Sequence, residues 1–150
     1  AFTEEIGGAL ARCLPAATPR ALCVHLCGDL GAGKTTLVRG FLRALGATGP
    51  VRSPTYGLME AYGLPGREVL HLDLYRLRDP AEVLALGLRD HDRPRAVWLI
   101  EWPEKGGAQV PPADLRIDMS AAQPEHRIVL GAGSAEGQAW LGAFRDPRHA

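Results

Sequence analysis

At 150 residues, with 46% hydrophobic and 23% charged side chains, the chain is long enough to bury one core without disulfides or a structural metal. Lysine plus arginine and aspartate plus glutamate each total 17, so no broad positive field announces a nucleic-acid partner held through its phosphates. Cys13, Cys23 and Cys27 form no Cys-x-x-Cys pair, and no stretch reads as a signal peptide or membrane span, which predicts a cytoplasmic protein with no membrane role.

In chain order, residues 4–14 read as a helix: Ile6, Leu10, Cys13 and Leu14 share one face, Thr3 stands as an N-cap, and Pro15 and Pro19 bracket the exit. Residues 21–27 are a nearly continuous apolar run ending at glycine, the pattern of a parallel strand buried on both faces. His25 shares a strand face with Cys23 and Cys27, but the cysteines read as small core residues rather than metal ligands. A helix over residues 34–45 follows, with Leu37, Val38, Phe41, Leu42 and Leu45 on its inner face and Gly46 as a stop. Residues 56–62 and 69–74 predict two strands of a hairpin, separated by Gly63, Pro65 and Gly66.

Asp79 and Pro80 open a short helix running toward Gly87, and an arginine-rich, solvated connection reaches Arg95. Residues 96–100 form another buried-type strand closed by Glu101; residues 115–119 and 126–130 read as edge strands, residues 131–133 as a linker and residues 134–144 as an amphipathic helix. Strands alternating with helices, and no internal repeat, predict a single α/β domain over residues 1–150, a three-layer sandwich with a mostly parallel sheet and antiparallel additions.

Gly28, Asp29, Leu30, Gly31, Ala32, Gly33, Lys34 and Thr35 match the pattern Gly-x-x-x-x-Gly-Lys-Thr at every defined position, between a strand and a helix as its mechanism requires. Glycines let the backbone turn its N–H groups inward as a nest for phosphate oxygens at a helix N-terminus. Lys34 then reaches the outer phosphates, Thr35 completes a Mg2+ shell, and Thr36 adds a phosphate contact. Asp73 and Glu101 each close a strand and are candidates for the metal carboxylate and for orienting the attacking water. His71 shares a face with Asp73 and Tyr75 and reads as a structural residue; Tyr75 and Arg76 are candidates for a partner surface. Ser53, Pro54 and Thr55 follow the helix where a γ-phosphate switch can sit.

The order GDLGAGKTT (28–36), SPTY (53–56), HLDLYRL (71–77) and IEWPEKG (100–106) resembles the TsaE family, bacterial ATPases of tRNA threonylcarbamoyladenosine biosynthesis. The resemblance extends from Thr3, in a Thr-x-x-Ile-Gly opening, to about Leu130. It implies a P-loop ATPase fold, ATP and Mg2+ as cofactors, and slow hydrolysis that resets a complex with TsaB and TsaD, the transfer chemistry belonging to TsaD and TsaC and tRNA being reached only through the complex. It further implies that Asp29, Gly31, Ala32, Gly33, Lys34, Thr35 and Thr36 hold the nucleotide, with Thr3 and Arg127 touching it. Thr35 and Glu101 then bind Mg2+, Asp73 supports the metal or the water, and Ser53 to Thr55 form the switch. Tyr56 stands where the family usually has phenylalanine, and Gly57 where a hydroxyl residue is common.

A P-loop small-molecule kinase is the enzymatic alternative, with Arg76, Arg78, Arg89, Arg93 and Arg95 as an apparent phosphate lid. A nucleotide-gated binding module with incidental hydrolysis is a third reading. A GTPase is disfavoured because the chain has no Asn-Lys-x-Asp motif.

Overall fold

The computed structural model of the protein describes residues 2–54, 57–121 and 127–149. Its centre is a six-stranded sheet in the order β2-β3-β4-β1-β5-β6. The strands are β1 (Leu22–Cys27), β2 (Met59–Leu64), β3 (Arg67–Asp73), β4 (Val97–Glu101), β5 (Leu115–Ser120) and β6 (Arg127–Ala132). The four inner strands run parallel, and β2 and β6 add antiparallel edges. This is the anticipated α/β sandwich. Every residue of β4 is buried, as a strand covered on both faces must be, whereas β2 and β6 alternate because one side of each edge strand meets water.

Two helices lie side by side on one face: α1 (Phe2–Arg12) and α2 (Lys34–Ala44). Leu37, Phe41 and Leu42 of α2 and Leu10 of α1 close the core over Val24, Leu26 and Leu99. Each such side chain contributes roughly 1.5–3 kcal/mol by leaving water. The two helices approach closely at glycines: a Cβ on Gly7 would strike the Leu37 carbonyl, and one on Gly40 the Glu4 carbonyl. The last helix, α4 (Ala135–Ala143), inserts Trp140 beside Phe41, with its Nε1–H donating to the Leu10 carbonyl at 2.9 Å. The second face is covered more thinly, by α3 (Ala81–Leu84) and by short 3-10 turns at Leu88–His91 and Pro103–Gln109. Asp79 and Glu82 start α3 reciprocally: Asp79 Oδ1 accepts from the Ala81 N–H, and Glu82 Oε1 accepts from the N–H groups of Arg78 and Asp79.

Several expectations need correcting. Thr3 lies inside the first turn of α1 rather than capping it, because the helix already begins at Phe2. β5 is an inner strand, paired with both β1 and β6; its alternating pattern resembles an edge because it is shorter of cover, not of partners. Gly131 and Ala132 belong to β6, and only Gly133 leaves the strand, where a Cβ would collide with the Ala113 carbonyl. Helix α4 fully buries only Gly137 and Trp140, with Leu141 packed beside them at the core edge, so it docks mainly by one large side chain rather than along a continuous apolar stripe. The hairpin turn is Pro65–Gly66 alone, Gly63 being part of β2. No helix among the described residues is long and apolar enough to cross a membrane.

Candidate functional site

The parallel strands β1, β3 and β4 end at one edge of the sheet, and the site is assembled from their last residues and from the loops into which they run. After β1 the chain enters the loop 28–33, where Gly28, Gly31 and Gly33 all adopt positive φ (147°, 82° and 98°). Gly28 is pressed against β5: a Cβ there would collide with the Met119 carbonyl, so only glycine lets the loop leave the strand at this point. The loop closes on itself through the Ala32 N–H donating to the Asp29 carbonyl at 3.1 Å, and Gly33 then opens α2.

Lys34, only 5% exposed, projects back over this loop. Its Nζ donates to the carbonyls of Gly28 and, at 3.3 Å, Asp29. It also lies 4.1 Å from the centroid of the Trp102 ring, a cation–π contact that replaces part of the ammonium's lost hydration. Trp102 takes a left-handed conformation (φ 57°) unusual for so bulky a residue, at the point where the chain leaves β4. Tyr75, 40% exposed, packs on the same ring with centroids 5.1 Å apart.

Thr35, one residue on, carries the hydroxyl that joins the elements. Its Oγ1 donates to Glu101 Oε2 at 3.2 Å and bonds Ser53 Oγ at 2.9 Å. Glu101 is 3% exposed, and its Oε2 also lies 2.6 Å from Nε2 of the fully buried His71. Because a carboxylate only accepts, the imidazole donates here through Nε2. Register places Asp73 directly beside Glu101 on the neighbouring strand; Asp73 Oδ1 accepts from the Tyr75 N–H at 3.0 Å. These groups surround an open cavity of about 610 Å³ whose lining includes Gly31, Gly33, Lys34, Thr35, Thr36, Ser53, Pro54, Asp73 and Glu101. That volume is in the range of small-molecule sites.

A second cavity of about 630 Å³ lies on the thinly covered face, lined by Trp98, Arg20 and Asp114 among others. Ser134, which starts α4, lines it, but it has no lysine and no strand–glycine loop–helix cradle, and its buried acid, Asp114, is already engaged by Arg20, Ser134 and the Cys23 N–H. The first cavity is therefore the stronger functional candidate.

Comparisons with known proteins show the family. The family model described as threonylcarbamoyl adenosine biosynthesis protein TsaE matches residues 1–129. The chain belongs to the TsaE family. It is 44% identical to the tRNA threonylcarbamoyladenosine biosynthesis protein TsaE of Haemophilus influenzae over 85% of this chain and 80% of that one. It is 37% identical to the TsaE of Bacillus subtilis over 68% of this chain and 63% of that protein. The crystal structure of Bacillus subtilis YdiB superposes with a TM-score of 0.72 at 27% identity, covering 93% of this chain and 84% of the other.

Within this TsaE-family P-loop fold, most but not all of the sequence-derived candidates meet in one place. Gly31, Gly33, Lys34, Thr35, Thr36, Ser53, Pro54, Asp73 and Glu101 line the same cavity; Thr55 and Tyr56 lie outside the described residues. Thr3 reaches the loop from α1, its Cγ2 within 3.5 Å of where a Gly33 Cβ would be. Arg127, at the start of β6, lines a separate cleft of about 170 Å³ with Gly28, Asp118 and Ser120. Asp29 is exposed and takes part through its carbonyl, while Ala32 is buried inside the loop.

Sequence reasoning missed the partnership between His71 and Glu101. The available signal was a histidine amid Val69, Leu70 and Leu72, polar where a doubly covered strand calls for an apolar residue. Cys23 and Cys27 are buried, and burial pushes the Cys23 thiol up to about 12. His25 Nε2 is occupied by the Pro111 carbonyl at 2.8 Å. No group of three or more His, Cys, Asp or Glu side chains among the described residues could hold a metal ion unaided.

Proposed function

We propose that the chain binds ATP in the 610 Å³ cavity and hydrolyses it slowly with Mg2+, as the cytoplasmic ATPase subunit that acts with TsaB and TsaD in tRNA threonylcarbamoyladenosine biosynthesis. The observation that carries this reading is the meeting of Lys34, Thr35 and Glu101 at the mouth of a glycine loop, with Thr35 Oγ1 and Glu101 Oε2 3.2 Å apart. The donor set suits the metal: a hydroxyl and carboxylates are hard oxygen ligands, and Mg2+ ordinarily takes only a few protein oxygens, filling its shell with water and substrate phosphates. Thr35 and Glu101 would hold it, with Asp73 beside them.

When bound, Mg2+ supplies charge neutralisation on the phosphates. The chain's own residues do the rest. Loop N–H groups and the start of α2 receive the phosphate oxygens, Lys34 exchanges its loop carbonyls for phosphate, and Asp73 orients a water. Thr3, near Gly33, and Arg127, in a cleft with Gly28, would add nucleotide contacts. The hydrogen bond from Ser53 to Thr35 gives the switch role of residues 53–55 a physical basis: a change at Thr35 is felt directly by that segment. Tyr75 and Arg76, beside the cavity, would face the partner proteins, and tRNA would be met only through them.

The test is titration of the purified chain with ATP and GTP, with and without Mg2+, together with phosphate release and a pull-down by TsaB and TsaD. Binding of ATP strengthened by Mg2+, release of free phosphate, and association with both proteins support the proposal. Failure to bind any nucleotide overturns it, and phosphate appearing on a small acceptor instead of in solution replaces it with a kinase.

A further inference from the structure

His71 occupies a place where leucine or valine would pack at no polar cost. It is 0% exposed, on an inner strand, with Leu99 and Glu60 as its register neighbours on β4 and β2. Its Nε2 is spent on Glu101 Oε2 at 2.6 Å, and its Nδ1 is buried with no hydrogen-bond partner among the described residues. An unpartnered buried ring nitrogen is a penalty that a packing residue avoids. Keeping the imidazole makes physical sense only for what Nε2 does.

We propose that His71 is the positioning residue of the Glu101 carboxylate: its Nε2–H, together with the Thr35 hydroxyl, holds Oε2 from the protein side so that the carboxylate presents a fixed face to the Mg2+–nucleotide. The inference rests on the nucleotide reading above and adds a residue to it. The strand geometry explains the spacing. His71 and Asp73 lie two apart on β3 and so share a face, and the register pairs Asp73 with Glu101. One strand thereby supplies both the acid beside Glu101 and the donor beneath it. Partners that orient metal-ligating groups from behind commonly govern metal affinity.

The experiment compares His71→Asn with His71→Gln, two neutral amides that differ in reach: glutamine can put its N–H where Nε2 stands, and asparagine falls short. Titration with ATP in EDTA and again in excess Mg2+ separates nucleotide binding from the metal-dependent gain, and phosphate release is read alongside. His71→Asn is expected to lose about 10–100-fold in the metal-dependent gain and in turnover while its affinity in EDTA changes less than about twofold, with His71→Gln restoring most of both. Three results would overturn the inference: wild-type metal dependence in His71→Asn, no difference between the two amides, or a loss that is equal in EDTA and tracks a lowered melting temperature. Wild-type protein that binds no nucleotide brings down the underlying reading and this inference together, whereas wild-type protein with normal Mg2+ dependence isolates the failure to His71.

Discussion

Two buried carboxylates stand at opposite ends of the same sheet and are treated in opposite ways. Asp114, just before β5 and 2% exposed, accepts from Arg20 Nη2 and Nη1 at 2.8 and 3.0 Å, from the Cys23 N–H at 2.8 Å and from Ser134 Oγ at 2.7 Å. Glu101, at the other end, is met by a histidine and a single hydroxyl, both on one oxygen, and faces a cavity. A fully satisfied acid locks the strand ends and the start of α4 together. An acid that keeps acceptor capacity at the edge of a phosphate loop has something left to bind. The difference separates a saturated buried charge from one that can still take a ligand more sharply than burial does.

The comparison can be broken from the functional end first. Lys34→Ala should weaken ATP binding by about 1,000-fold, or about 4 kcal/mol, because the charge facing the phosphates is lost; calorimetric titration checks it. Glu101→Ala should reduce turnover by about 100-fold, about 2.7 kcal/mol, while ATP affinity in EDTA remains near that of the wild type. Wild-type turnover would remove Glu101 from the site. Asp114→Ala should do the reverse, leaving ATP affinity intact and lowering unfolding stability by about 2–3 kcal/mol, since the buried Cys23 N–H is stranded while Arg20 can turn to water. Urea denaturation measures this.

The smallest effect is one of pH. Burial pushes the Asp114 carboxyl upward, but the bonds from Arg20, Cys23 and Ser134 outweigh it and hold the group below its ordinary value of 3.8. A depressed folded value means that its stabilisation is fully present above the unfolded value and is lost as pH falls through the folded one. The gap in urea midpoint between wild type and Asp114→Asn should therefore hold steady at neutral pH and shrink once the pH drops below about 4. A gap that stays constant to pH 2 would show that the bonds at Asp114 do not depend on its charge.

Much of this was legible along the chain. Continuous apolar runs marked β1 and β4, the i, i+3, i+4 pattern marked α2, and the glycine–lysine–threonine loop lay between strand and helix where its chemistry demands. Local rules failed where a residue's role depends on a distant neighbour. Thr3 looked like a cap because threonine before two glutamates is a cap pattern, yet close packing of α1 on α2 through Gly7 and Gly40 carries it to the loop instead. The stretch around Gly131 looked like a linker because glycine weakens a strand, yet pairing with β5 holds it extended. Asp114 drew no attention because an acid after two prolines reads as a turn residue; only Arg20, far away in sequence, reveals it.

By itself the sequence determined the α/β class, the phosphate loop and the family, because hydrophobic period, glycine placement and motif order are local or serial properties that need no coordinates. Tertiary structure alone decided which buried acids are saturated with donors and which face the cavity, that His71 bonds Glu101, and that Lys34 lies over the Trp102 ring. Those roles come from strand register and from close approach between segments remote in sequence, where hydrogen-bond supply and burial are set by neighbours that no window along the chain contains.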